Sequence, residues 1–100
     1  MKTIRIADSF GAFASNGDEA NIFRFAEIEP LLAQRESVRL DFDGVTNLTS
    51  SFANALVATL VAHFPDTFPD LVRFENCCPV VKQMVVGAIQ IGRRESKETA

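Results

Sequence analysis

Between Val45 and Phe64 the chain carries no Asp, Glu, Lys or Arg. The stretch opens with hydroxyl and amide side chains, Thr46, Asn47, Thr49, Ser50 and Ser51, and is mostly apolar from Phe52 onward. A helix that is apolar nearly all round must be covered on more than one side. In a small domain the second cover is often a partner. The stretch therefore points to a protein-binding module more than to an enzyme.

Its length is close to the roughly 20 residues that a membrane span requires. The first third, however, reads as loop and cap, which leaves only about 13 residues of helix and suits a buried helix of a globular domain. The first residues, Met1 to Ala7, include Lys2 and Arg5 and no long apolar run, so no targeting segment is expected. The expected location is the cytoplasm, with no membrane contact. One hundred residues make one domain. Nine Phe without Trp or Tyr imply a core of Phe, Val, Leu and Ile. A net charge of −3 argues against nucleic acid, which selects a basic face; Arg93-Arg94 is the one basic cluster and Glu95 follows it.

The pattern alternates between strand and helix. Lys2–Ala7 reads as a strand with Ile4 and Ile6 inward. Asp8–Gly17 is a connection in which Phe10 and Phe13 fold back on the core, with room for a second short strand. Asn16-Gly17 is a hairpin dipeptide, but Ser15 or Asn16 as a helix cap ahead of Asp18 and Glu19 is preferred. A helix is then predicted from about Asp18 to Arg35. Its buried side is Ile22, Phe23, Ala26 and Leu31 or Leu32, its wet side Asp18, Arg24, Glu27 and Gln34, and Pro30 bends it.

Val38, Leu40 and Phe42 share one face of the central strand. The second helix runs from about Ser50 to Phe64 and ends at Phe64-Pro65-Asp66. Either Phe52, Leu56 and Leu60 or the rotated set Ala53, Val57, Leu60 and Phe64 faces the sheet. Leu71–Phe74 is the next strand. Pro79 opens the last helix, with Val81, Met84, Val85, Ala88 and Ile89 inward and Lys82, Gln83, Gln90 and Arg93 outward. One domain thus covers residues 1–92, and residues 93–100 form a flexible polar tail. The fold class is α/β: a small, mixed, mostly parallel sheet with crossover helices, in the order β-(β)-α-β-α-β-α. Partners of such sheets bind at the carboxyl ends of the strands, here Asp43–Ser51 and Asn76–Pro79.

Leu40-Asp41-Phe42-Asp43-Gly44-Val45, followed by Thr49-Ser50-Ser51-Phe52-Ala53, resembles the STAS-like family of unknown function, itself similar to STAS domains such as bacterial anti-sigma factor antagonists. The match is best from Val38 to about Leu60, extends toward Ile91, and is weak over the first thirty residues. In the antagonists an aspartate-serine-serine-glycine loop carries a serine that a histidine-kinase-like ATPase phosphorylates. The resemblance carries Thr49 to the aspartate place, Ser50 to the phosphorylated serine, Ser51 to the second serine and Phe52 to the glycine. The aspartate and glycine are absent here. The resemblance implies a histidine-kinase-like ATPase as partner and Ser50 as a switch.

Thr49 or Ser50 caps the second helix, and a phosphate on Ser50 would meet free amides there. Ser51, Ala55, Ala58 and Ala62 make a stripe of small residues, which permits close approach of another helix from this chain, a second copy or a partner. Asp41 and Asp43 are expected to cap the strand end. His63 has no evident triad partner. Cys77-Cys78 lacks the spacing of a redox motif, and adjacent cysteines do not suit a structural disulfide. The expectation is a non-enzymatic regulatory module with no cofactor and no metal. Its partner surface comprises Asn47, Thr49, Ser50, Ser51, Asn54, Ala55 and Ala58. The alternatives are a small redox or phosphotransfer enzyme using Cys77, Cys78 or Ser50, and a self-associating scaffold.

Overall fold

The computed structural model describes residues 1–99. The elements run β1 (Lys2–Arg5), α1 (Ile6–Phe10), β2 (Phe13–Ala14), α2 (residues 17–33), β3 (Val38–Asp41), β4 (Asn47–Leu48), α3 (residues 50–63), α4 (Phe68–Leu71), β5 (Val72–Glu75) and α5 (Pro79–Thr99). Three parallel strands form a sheet in the order β1-β3-β5, and β2 pairs with β4, also parallel, as a separate ribbon. The expected α/β class is thus present, with Val38–Asp41 as its central strand and Phe42 just beyond the strand's end.

The sheet is one-sided. β1 to β3 and β3 to β5 are crossovers in the same direction, and a shared right hand puts their helices on the same face. That face carries Val38, Leu40 and Val72, all buried, with Ile4 and Phe74 partly so. The other face carries Thr3, Arg5, Arg39, Asp41, Arg73 and Glu75, all exposed or half-exposed. Parallel sheets are usually covered on both faces; this one is wet on one.

Two long helices change winding midway. In α2 the α-helical Gly17–Phe23 passes through a π-helical segment, Arg24–Ile28, into Glu29–Ala33. Pro30 stands in the first turn of the last piece. It cannot donate a backbone hydrogen bond and would clash with the preceding turn, and a wider π turn relieves that conflict. In α3, Ser50–Ala53 and Thr59–His63 flank a second π segment, Asn54–Ala58.

Several expectations are corrected. Ile6 opens a helical turn rather than ending β1, which puts Ile6 and Phe10 one turn apart on α1. Phe10 then meets Phe23 at 5.2 Å and Phe52 at 4.8 Å, both edge-on. In α2 the buried residues are Ala20, Arg24, Ile28 and Leu32, while Ile22 and Phe25 are exposed. The buried face is therefore rotated from the expected one, and Arg24 lies inside it rather than on the wet side. Leu71 ends α4, and its strand begins at Val72. The last helix continues to Thr99 instead of stopping near Gly92, because Arg93, Arg94, Glu95 and Lys97 are good helix formers without needing an apolar stripe. Ala100, the end of the expected tail, lies outside the described residues.

α5 packs on α3 at close range. A Cβ on Gly92 would sit 2.4 Å from the Ala58 carbonyl oxygen and 2.7 Å from Val61 Cβ. The apolar α3 is thereby covered by α2 on one flank and α5 on another. Phe52, Leu56, Val57, Leu60 and Val61 are all buried, so both expected core sets contribute, with Phe64 only partly buried.

Candidate functional site at the start of the second long helix

The loop leading to α3 is fixed by backbone bonds to the β2 region. Thr46 N–H donates to Ala12 O at 2.8 Å and Thr49 N–H to Ala14 O at 3.0 Å. Thr49 is the helix cap: its hydroxyl accepts from Phe52 N–H at 3.2 Å and donates to Ser15 O at 3.0 Å. The first intrahelical bond is Ala53 N–H to Thr49 O. Ser50 and Ser51 therefore occupy the opening turn, where backbone amides have no intrahelical acceptor.

Ser50 is exposed. It stands on the rim of a groove of about 180 Å³ between α3 and α5, lined by Ala53, Asn54, Gln83, Met84, Gly87, Ala88 and Ile91 as well. None of these residues is charged. The expected surface residues separate here. Asn47 is exposed, and its side-chain oxygen accepts from Leu48 N–H at 2.8 Å. Ser50 and Asn54 share the groove. Ser51 is exposed but lies against Gly17, whose added Cβ would come within 3.1 Å of the Ser51 carbonyl oxygen. Ala55 is half-buried, and Arg24 Nε donates to its carbonyl at 2.9 Å. Ala58 is buried beneath α5, so it is no part of an open surface. Three members of the small-residue stripe thus serve contacts within the chain.

Sequence reasoning missed the α5 side of the groove. Gln83, Gly87 and Ile91 recur at i, i+4, i+8, the spacing of one helix face, and that face is the signal that would have found it.

The second edge, Asn76–Pro79, is a turn fixed by Asp41. The Asp41 carboxylate accepts from the Asn76 amide at 2.9 Å and from Asp43 N–H at 2.9 Å. These two bonds, Asn76 first, hold its carboxyl below the ordinary range. Arg5 reaches Asp8 at 2.7 Å and Asp43 at 3.8 Å, and Gly44 turns the chain at a φ of 87°. The carboxylate pair is a turn device, as expected. Cys77 and Cys78 are free. Burial pushes the Cys77 thiol up, with the neighbouring Cys78 adding to the effect, the direction that disfavours the nucleophilic thiolate. Among the described residues no cluster of three or more His, Cys, Asp or Glu could hold a metal. None of their helices is long and apolar enough to cross a membrane.

A family profile described as a STAS-like domain of unknown function matches residues 25–82. The chain belongs to the STAS-like domain family. Searches of curated proteins and of solved structures gave no match. The family match spans the bent half of α2, the central strand, all of α3, β5 and the first turn of α5. In this STAS-like domain the Thr49-Ser50-Ser51 sequence lies within the matched region, at the edge of the uncharged groove.

Proposed function

We propose that this STAS-like domain is a protein-docking module rather than an enzyme, and that it engages a histidine-kinase-like ATPase domain through the groove at Ser50. The reading rests on one observation: an exposed serine stands on the rim of a groove that contains no charge. A neutral, partly apolar partner surface can bury such a groove at little electrostatic cost. A charge placed at Ser50 reverses that balance. The opening turn of α3 tolerates it, through the helix dipole and its free amides. The docked partner would have to desolvate it. Stability and binding therefore respond differently to the same group, which is the property of a regulatory switch like that of the anti-sigma factor antagonists. A kinase-like, ATP-consuming partner puts the pair in the cytoplasm. The thiol-enzyme alternative gains no support from Cys77, whose thiol burial pushes away from the thiolate.

The test is affinity capture from the native cell extract with wild type, Ser50→Asp and Ser50→Ala, with thermal melts of all three. Ser50→Asp should lose the captured ATPase while keeping its melting temperature, and Ser50→Ala should retain it. Equal recovery by all three proteins would refute the switch.

A further inference from the structure

The three-stranded sheet ends at β5, a free edge. Phe42 N–H donates to Glu75 O at 2.9 Å. Backbone groups alternate sides along a strand. Glu75 and Arg73 therefore direct theirs at β3, and Phe74, between them, directs its own N–H and C=O outward. Such an edge is a template for another strand.

Both faces of this edge are prepared for an addition. On the helix side lies a groove of about 280 Å³ lined by Phe74, Cys77, Lys82, Val85, Val86 and Ile89. Val86 is exposed, so the groove holds apolar surface open to solvent. On the wet side, Arg73 and Glu75 flank Phe74 with opposite charges. A strand laid along β5 must bring an apolar residue opposite Phe74, an acid opposite Arg73 and a base opposite Glu75.

β5 itself meets all three requirements when it runs antiparallel. With Phe74 opposite Phe74 of a second copy, Arg73 faces Glu75 twice, once on each side of the two-fold axis. We infer that β5 is a self-association edge, through which two copies join their sheets antiparallel about Phe74. The central pair exchanges both backbone hydrogen bonds, and the second Phe74 drops into the groove beside Val85, Val86 and Ile89. The contact is isologous and therefore closed, giving a dimer and not a fibre. Existing contacts leave capacity for it. Arg73 donates to Pro69 O and to Val72 O, both through Nη1, and Arg39 approaches Glu75 through Oε1, at 3.0 Å. This edge lies apart from the Ser50 groove, so a dimer would not depend on the docking described above.

The test is sedimentation equilibrium across a dilution series of the full chain, with Arg73→Glu, with Glu75→Arg, and with the two variants mixed. Wild type should form a concentration-dependent dimer. Each variant sets like charges opposite each other twice and should dimerise at least about tenfold more weakly. The mixture should recover a heterodimer, because one variant presents two acids and the other two bases. A variant that is merely misfolded would not be rescued by mixing. A wild type that is monomeric at every concentration, variants that dimerise as wild type does, or a mixture that stays monomeric would each overturn the inference.

Discussion

Arg24 Nε donates to the Ala55 carbonyl oxygen at 2.9 Å, joining the π segment of α2 to that of α3. The same guanidinium holds Asn21 Oδ1 at 2.9 Å and pairs with Glu29. The Glu29 carboxylate in turn meets His63 Nδ1 at 3.3 Å. Arg24 and Glu29 side chains are only 8% and 16% exposed. A buried pair is weak evidence of net stabilisation, but breaking it from one side strands a charge. Arg24→Ala should therefore cost about 3 kcal/mol, and Arg24→Met with Glu29→Gln much less. Urea denaturation of both variants measures the difference. Equal losses would show that the pair does not act as a unit.

Two glycines of α5 should respond oppositely to alanine. At Gly92 the added methyl meets the Ala58 carbonyl at 2.4 Å, backbone that cannot easily move. Gly92→Ala should destabilise by about 1–3 kcal/mol. At Gly87 a Cβ meets nothing within 4 Å, so Gly87→Ala should stabilise by up to about 1 kcal/mol through helix propensity. Melting temperatures moving in the same direction would mean that α5 sits differently on α3.

The capping role belongs to Thr49, and the neighbouring serine should be thermodynamically quiet. Thr49→Ala should cost about 1 kcal/mol, since it loses the bond from Phe52 N–H as well as the one to Ser15 O. Ser50→Ala should change stability by less than about 0.5 kcal/mol, as exposed positions generally do. The reverse order in chemical denaturation would transfer the cap to Ser50.

The Asp41 turn gives a pH prediction. A carboxyl held low in the folded protein contributes stability that is present above its unfolded pKa and lost as pH falls through the folded value. The window here lies below the ordinary carboxylate range, because the Asn76 amide and Asp43 N–H both favour the charged form. Asn76→Gly removes the amide while keeping a residue suited to the positive φ of 58° at that position. The Asp41 titration midpoint, followed by side-chain carboxyl NMR, should rise toward the ordinary value. An unchanged midpoint would exclude Asn76 as the main cause.

The legible parts of the fold were those where apolar spacing and burial coincide. Val38, Leu40 and Phe42 alternate with charged residues, and Val81, Val85 and Ala88 repeat at helical spacing; all six are buried. The face of α2 was not legible. Two of its large apolar side chains, Ile22 and Phe25, are exposed, whereas Arg24 is buried by three acceptors brought from Asn21, Glu29 and Ala55. Only the tertiary fold supplies the Ala55 carbonyl. β4 spans two residues, too few for a periodicity. At the candidate site the Thr49-Ser50-Ser51 pattern identified the loop. The burial of Ala58 and the contribution of Gln83 and Gly87 depend on where α5 lies, which local pattern does not encode.

We propose that a charge at Ser50 controls docking of a histidine-kinase-like ATPase domain. Titration calorimetry of that domain with wild type and Ser50→Asp measures it directly, at matched folded fraction. The predicted result is a dissociation constant raised at least about tenfold by Ser50→Asp, equivalent to about 1.4 kcal/mol, as a desolvated carboxylate in an uncharged groove requires. Equal dissociation constants for the two proteins would contradict it.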